Sequence, residues 1–291
     1  MSKNPQEAGQ ALADLTTIYL DDKHTAFTGR SYMMNEPPKL KYGPSIQLSF
    51  DDSDRYSDAR EKYYPDGVPG YEEVGNTAYI TFDRYNFWPL DFYNDDKAED
   101  NLDNTVALMI HAFSQITREG SPVENVVLDM SKNGGGSADA AAYVLGAFIG
   151  TGSISVMNPL SGALVTENIT ADLNLDRKFD DNDNLLNYNL FCMISPNSFS
   201  CGNMVPSVLK NSHRVTMLGQ TSGGGACIVH YLSTADGCPF QISGPIRMSY
   251  TKNGSFYDID QGVEPDFVIP DPDMFYDRKY MTDYINGLMK K

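Results

Sequence analysis

Residues 126–141 read VVLDMSKNGGGSADAA and show the pattern on which the chain is built. A short apolar run typical of a buried strand is followed by Asn-Gly-Gly-Gly, and an alanine-rich stretch typical of a helix begins directly after the glycines. Glycines at such a junction let backbone N–H groups point toward an anion, and the helix dipole adds to the attraction. The stretch contains neither Gly-Lys-Ser/Thr nor GxGxxG, so it does not indicate a phosphate loop. By themselves the glycines are equally consistent with a tight turn.

The same alternation of strand and helix continues on both sides of that stretch. Strands are predicted at 77–85, 189–195 and 214–219, and helices at 106–116 and 201–211. Strands that alternate with helices predict an α/β fold with a largely parallel central sheet.

Two segments of different character precede this core. Apolar residues at helical spacing near the N-terminus predict that 1–34 form a helical segment. Residues 35–75 are rich in Pro, Gly, Asp and Tyr, which predicts an irregular connector with one strand-like interruption, SIQLSF at 45–50. The core is then expected to span 76–291.

The composition argues against several classes of protein. The chain has 291 residues, 41% of them hydrophobic, which is enough for a sizeable core. Its net charge of −17 argues against nucleic-acid binding, because phosphates need clustered Lys and Arg. No apolar run approaches the roughly 20 residues that cross a bilayer. The start, MSKNPQEAGQ, lacks the apolar stretch of a secretory signal, which suggests a cytoplasmic start or a chain trimmed of its leader.

The sequence contains no metal-binding pattern. The four cysteines, Cys192, Cys201, Cys227 and Cys238, form no CxxC pair, which argues against a zinc site. The acidic stretch DRKFDDNDN has neither the spacing nor the glycine of a calcium-binding EF-hand loop. We therefore expect no metal and no cofactor.

Ser200 and His24 are candidates for chemistry, although each has a simpler interpretation. Ser200 lies where a predicted strand gives way to a predicted helix, so it is either a helix N-cap or a nucleophile at the positive end of the helix. Cys201 is a rival nucleophile, but a buried structural thiol is the simpler interpretation of it. His24, in DKHT, is either a surface or capping residue or a general base.

Three segments and one short motif carry a resemblance to a known family. Residues 126–141 resemble the DLRxNxGG segment of the tail-specific, or C-terminal processing, serine proteases. Residues 195–226 resemble their nucleophile-bearing segment, and 254–269 resemble their closing G(I/V)xPD segment. DKHT at 22–25 is similar to their DxHT motif. The resemblance implies an α/β, ClpP/crotonase-like core, whereas 35–75 are too short to hold the PDZ domain of about 80–100 residues that many members carry.

The resemblance assigns the nucleophile and the oxyanion hole. Ser200 falls on the family's nucleophile, and Gly135 and the N–H of Cys201 fall where the oxyanion hole is built. In the Ser-Lys branch of the family the base is a lysine, whose place is taken here by Gly224 in TSGGGA. The chain therefore resembles more closely the Ser-His branch, represented by the tricorn core and the secreted chlamydial protease.

In that branch the base is a histidine oriented by an acid. The resemblance assigns the base to His24, whose ordinary pKa near 6.5 suits proton shuttling. The orienting acid of those relatives aligns with Ile259, which cannot serve. Asp260 is our first assignment and Asp258 the second, because both flank that position.

The predicted function is a serine endopeptidase acting on peptide or protein substrates. Gly223, Gly224 and Gly225 are predicted to line the cleft and pair with an extended peptide. The alternative is a catalytically inactive member that binds peptides or acts as a scaffold. By the same resemblance we expect a location outside the cytoplasm, either extracytoplasmic or secreted. The sequence carries no signal of oligomeric state.

Overall fold

The structure is a computed structural model that describes residues 5–20, 22–27, 41–234 and 237–290. Within these ranges a π-helical turn, Leu15–Tyr19, follows the first helix, and a 3₁₀ turn, Ala98–Asp100, precedes the third. The α-helices in the same ranges are α1 Pro5–Asp14, α2 Pro44–Tyr63, α3 Thr105–Ile116, α4 Ala138–Ile149, α5 Cys201–Asn211, α6 Pro272–Tyr276 and α7 Arg278–Leu288.

The described strands form two sheets. They are β1 Ala26–Phe27, β2 Lys41–Tyr42, β3 Tyr71–Val74, β4 Thr77–Thr81, β5 Asn125–Asp129, β6 Gly152–Asn158, β7 Ala163–Ile169, β8 Asn189–Ile194, β9 Val215–Gly219, β10 Cys227–Ser233, β11 Pro239–Lys252, β12 Ser255–Tyr257 and β13 Phe267–Val268.

The central sheet has six strands in the order β13-β9-β8-β5-β4-β3. Every neighbouring pair is parallel except β3 and β4, which form an antiparallel hairpin. Helices cover both faces of the sheet, so β5 is buried along its whole length, and its three central residues, 126–128, are all apolar rather than alternating. The predicted α/β fold with a largely parallel sheet is confirmed.

Successive residues of β5 contribute to two separate cores. Val126 and Leu128 pack with the buried faces of α3, α4 and α5. Val127 points to the opposite face and packs with α2, α6 and α7. This follows from the alternation of side chains along a strand. The carboxyl ends of β5 and β8 emerge between these layers, and the loops that follow them carry the candidate site.

The second sheet attaches the N-terminal segment to the core. Its strands run β2-β1-β11-β6-β7, and β10 and β12 also pair with β11. The predicted N-terminal helix is present, but the chain then turns and adds β1 to the sheet, with Ala26 opposite Gln241. Residues 28–40 lie outside the described part of the chain.

The strand predicted for SIQLSF is wrong, and so is the irregular connector over residues 44–63, which form α2. Pro44 stands in the first turn, where its fixed φ favours a helix start. Further along, Tyr56 and Ala59 lie about one turn apart and are both buried in the core beside Phe275. The local polar–apolar alternation favoured a strand, but packing across several turns decided for a helix.

None of the helices that the structure describes is both long and apolar enough to cross a membrane. The four cysteines are all free thiols.

Candidate active site

Ser200 lies at the end of the loop after β8, and hydrogen bonds join this loop to the one after β5. Ser198 Oγ donates to the Met130 carbonyl at 2.6 Å, and Phe199 N–H donates to the Asn133 carbonyl at 2.9 Å. Ser195 Oγ donates to the Ser131 carbonyl in the same way. These cross-links hold the two loops side by side, so residues after two neighbouring strands meet at one place.

The backbone of Ser200 is strained. Its φ and ψ are 57° and −123°, a region that residues with a side chain rarely occupy. Ser200 has the N-cap position of α5, yet its side chain forms no capping hydrogen bond. A sharp turn of this kind between a strand and a helix presents the hydroxyl to the solvent side of a sheet. The simple N-cap interpretation of Ser200 therefore has no support from its hydrogen bonds.

Cys201 has the environment of a structural thiol. It is buried, and its Sγ–H donates to the Gly136 carbonyl at 3.4 Å. Burial raises the pKa of the Cys201 thiol to about 11. Because the thiolate is the reactive form, Cys201 is a poor nucleophile near neutral pH. Its backbone N–H belongs to the first residue of α5, where no intrahelical acceptor exists.

The glycine turn packs directly against Ser200. A Cβ on Gly135 would lie 2.7 Å from Ser200 Cβ and 3.1 Å from Cys201 N, and its φ is +98°. Only glycine permits this close approach. Gly135 N–H donates to Asn133 Oδ1 at 2.9 Å within the turn. The predicted oxyanion residues, Gly135 and Cys201, are thus close neighbours beside Ser200.

The DKHT motif forms a turn that docks on β11. Asp22 accepts hydrogen bonds from Thr25 N–H at 2.6 Å and from Ser243 Oγ at 2.9 Å. His24 is fixed through its own carbonyl, which accepts from Gln241 Nε2 at 2.7 Å. The acid of this motif therefore shapes the turn that carries the histidine.

The imidazole of His24 lies beside Phe199, the residue before Ser200. It is 4% exposed, and its ring centroid is 4.6 Å from that of Phe199. His24 Nε2 is buried and has no hydrogen-bond partner among the described residues, Ser200 included. Burial lowers the pKa of His24; Asp260 and Asp22 act to raise it and Lys23 to lower it, and the net pKa is below the ordinary 6.5.

Lys23 connects the DKHT turn to the glycine loop at 223–225. Its Nζ donates to the carbonyls of Gly223 and Asp260, each at 2.9 Å. A Cβ on Gly224 would lie 2.6 Å from Lys23 Nζ and 2.0 Å from the Asp260 carbonyl oxygen, so this loop has no room for a side chain at 224. Gly224 takes the place of the lysine of the Ser-Lys branch, and the Nζ of Lys23 occupies the space beside it. Lys23 itself was not identified from sequence, because nothing local marks its distant carbonyl partners.

The two candidate acids have different surroundings. Asp260 Oδ1 accepts from Ala226 N–H at 3.0 Å, and its charge acts on His24. Asp258 forms an ion pair with Arg247 at 2.6 Å, and its side chain is 56% exposed. Of the two, Asp260 is the one whose charge reaches the imidazole.

One cleft of about 880 Å³ contains most of these residues. Its lining includes Ser200, His24, Gly135, Cys201 and Gly225. Gly223 and Gly224, also predicted to line the cleft, are not among the lining residues, because their backbones bond to Ser198 and Ser200 within the loop. Lys210, which follows Ser200 by ten positions in sequence, pairs with Asp266 at 3.1 Å and is not among the lining residues. In the described part of the chain, no three His, Cys, Asp or Glu side chains converge to hold a metal ion.

The sequence profile of peptidase family S41 matches residues 76–269, more than half of the chain. The chain belongs to peptidase family S41. This family consists of serine-type peptidases, which are hydrolases, and the predicted relationship to tail-specific proteases is confirmed. Among curated proteins none matches the chain by sequence.

Three solved structures share the S41 fold of this chain. The photosystem II D1 C-terminal processing protease is 21% identical with a TM-score of 0.50; the match covers 71% of this chain and 46% of that one, so the chain spans less than half of that protease. A lipoprotein from Streptococcus agalactiae is 14% identical with a TM-score of 0.56, over 99% and 84% of the two chains. A candidate peptidase from Parabacteroides merdae ATCC 43184 is 15% identical with a TM-score of 0.62, over 98% and 83%.

Proposed function

We propose that this S41 chain is a serine endopeptidase in which Ser200 is the nucleophile, His24 the general base and Asp260 the orienting acid. One observation supports this proposal more strongly than any other. A serine with a strained backbone and a histidine with a buried, unpartnered Nε2 line the same cleft, although 176 positions of sequence number separate Ser200 from His24. A neutral imidazole beside a hydroxyl is what nucleophilic catalysis by serine requires.

The mechanism begins with attack of Ser200 Oγ on a peptide carbonyl carbon while its proton passes to His24 Nε2. The negative charge that develops on the carbonyl oxygen is stabilised by Cys201 N–H, and a donor of this kind is commonly worth about 3 kcal/mol. Gly135 N–H becomes the second donor when it exchanges its hydrogen bond to Asn133 Oδ1 for one to the substrate oxygen. His24 then returns the proton to the leaving amine, which breaks the C–N bond. Water then attacks the acyl carbon while its proton passes to His24, and His24 gives that proton to Ser200 Oγ as the ester bond breaks, which releases the acid product and restores Ser200.

Asp260 orients the base in this proposal, with Lys23 as a positioning residue. The carboxylate of Asp260 is held by Ala226 N–H, and its carbonyl is held by Lys23 Nζ. The side chain and the backbone of Asp260 are thus both fixed close to His24.

The alternative is an inactive member that binds peptides, and one observation favours it. His24 Nε2 forms no hydrogen bond to Ser200 in the described structure. Catalytic hydrogen bonds are often long without substrate and tighten only in the complex, so the open arrangement is compatible with activity. A fluorophosphonate probe separates the two functions, because it labels only an activated serine. Labelling of the wild type that Ser200→Ala abolishes supports the peptidase, and no labelling above background supports the inactive member.

We predict that Gly225→Ala lowers kcat/KM by about 10²-fold, because it displaces the base. A Cβ on Gly225 would lie 2.8 Å from His24 Cε1 and 2.6 Å from Phe199 Cε2. Its φ of +84° adds backbone strain, for which Gly254→Ala is the matched control, since Gly254 has φ +78° and no atom within 4 Å of an added Cβ. Steady-state kinetics of both variants test this, and equal losses would show that strain alone is responsible.

The acidic limb of kcat/KM against pH is expected to have its midpoint below 6.5, because burial lowers the pKa of His24. Lys23→Met removes a cation that lowers this pKa, so the midpoint moves to higher pH. Asp260→Asn removes an anion that raises it, so the midpoint moves to lower pH. The unfolded chain binds a proton at His24 more readily than the folded chain, so this histidine also makes the folded state less stable as the pH falls below 6.5. Shifts of the two variants in the same direction would contradict the assignment of His24.

A further inference from the structure

Hydrogen-bond donors are concentrated on one side of the cleft, close to the glycine turn. Lys132, Arg84 and Asn197 all line the cleft there. Lys132 is three positions before Gly135, and Asn197 is three positions before Ser200. Hydrogen bonds from Ser195 to Ser131 and from Phe199 to Asn133 hold the two loop stretches that contain Lys132 and Asn197 next to each other.

Each of the three side chains has N–H donors that could bind a ligand. Lys132 Nζ donates to Ser57 Oγ at 2.5 Å, and an ammonium has two further N–H donors. Asn197 Nδ2 is buried with no partner among the described residues. Arg84 is exposed, and its stem packs on the glycine turn, because a Cβ on Gly136 would lie 3.1 Å from Arg84 Cγ. An unpaired buried donor is costly unless a ligand satisfies it.

The charges around this cluster favour an anion. Arg60 and Asp83 neutralise each other through two hydrogen bonds of 2.6 and 2.8 Å. Asp54 is the other acid whose charge acts on Lys132, while burial and Arg60 lower the pKa of that lysine. Lys132 and Arg84 thus exceed Asp54 by one positive charge, in a chain whose net charge is −17. A local excess of positive charge in an acidic protein attracts and orients anionic ligands.

We propose that Lys132, Arg84 and Asn197 form a substrate subsite that binds a carboxylate. The inference rests on the proposed peptidase function, because the ligand would be part of the peptide that Ser200 cleaves. An acidic side chain and the free C-terminus of a peptide share the chemistry that this subsite recognises. Cationic and amide donors together form charge-assisted hydrogen bonds with such a group.

The test compares two pairs of fluorogenic peptides on the wild type. The first pair carries a C-terminal amide and differs only by Glu or Gln at each position in turn; the second differs only by a free or an amidated C-terminus. We expect the wild type to prefer the carboxylate member of one pair by about tenfold in kcat/KM. Lys132→Gln and Arg84→Gln should lower the preference toward unity, and Lys132→Arg should retain it. Lys178→Gln, which changes the net charge equally at an exposed site outside the lining, is the control and should leave the preference unchanged.

The same peptides, labelled with a fluorophore, separate this inference from the peptidase proposal. Binding to Ser200→Ala, measured by fluorescence anisotropy, requires no turnover. If the carboxylate peptide binds Ser200→Ala about tenfold more tightly and Lys132→Gln removes the difference, the subsite stands even where the wild type cleaves nothing. If neither pair shows a preference, or Lys132→Gln retains it, the subsite is refuted whether or not the peptides are cleaved.

Discussion

Ser200→Ala is expected to abolish peptide hydrolysis, with kcat falling by roughly 10⁴-fold or more. The hydroxyl is the only part removed, and it forms no capping hydrogen bond to α5. The helix should therefore keep its start, and the free energy of unfolding should change little. Cleavage of an unstructured protein substrate, followed by gel electrophoresis and mass spectrometry, measures the loss.

Two further variants sharpen this result. His24→Ala should lower kcat by a similar factor, and the two changes together should cost little more than either alone, because nucleophile and base act as a unit. Ser207→Ala is the matched control on the same helix, since Ser207 Oγ donates only to the Asn203 carbonyl one turn earlier. Hydrolysis retained by Ser200→Ala, with Ser207→Ala equally active, would refute the assignment of the nucleophile.

Arg278→Met is expected to lower the free energy of unfolding by about 3–5 kcal/mol, the usual consequence of leaving a buried charge without its partner. Arg278 donates to Asp129 at 2.7 Å and to Glu72 at 3.0 Å, and its side chain is 3% exposed. Its guanidinium carbon is 4.4 Å from the centroid of the Tyr79 ring. Although burial opposes ionisation of Asp129, Arg278 and Arg60 hold the pKa of that carboxyl below its ordinary value. Removal of the arginine leaves the buried carboxylate of Asp129, at the end of the strand that leads to the glycine turn, without its directly bonded cation.

Urea unfolding of three variants tests the role of Arg278. Lys279→Met is the control, because the neighbouring lysine forms only an exposed ion pair with Asp283, and it should change stability little. The double variant Arg278→Met/Asp129→Leu should recover part of the loss, because both charges are gone. A change for Arg278→Met as small as that for Lys279→Met would show that the buried network contributes little.

Much of the core could be predicted because its signals are local. The strand, glycine turn and helix of 126–141 follow from apolar runs and glycine positions within one short window, and the structure confirms them. The family relationship followed from three such segments in order. The prediction failed at 44–63, where the apolar positions of α2 are meaningful only against α6, which lies more than 200 residues later.

In the candidate site, too, some features follow from local sequence and others only from long-range packing. The sequence by itself determined the parallel sheet, the position of Ser200 between β8 and α5, and glycine at 224 instead of a lysine. Only the tertiary structure decided that His24 shares a cleft with Ser200, that Lys23 fills the space beside Gly224, and that Cys201 is a buried thiol with a raised pKa. The physical reason is distance along the chain. Backbone preferences act over a few residues, whereas burial, charge and hydrogen bonding are set by side chains that pairing of β1 with β11 brings together from opposite ends of the sequence.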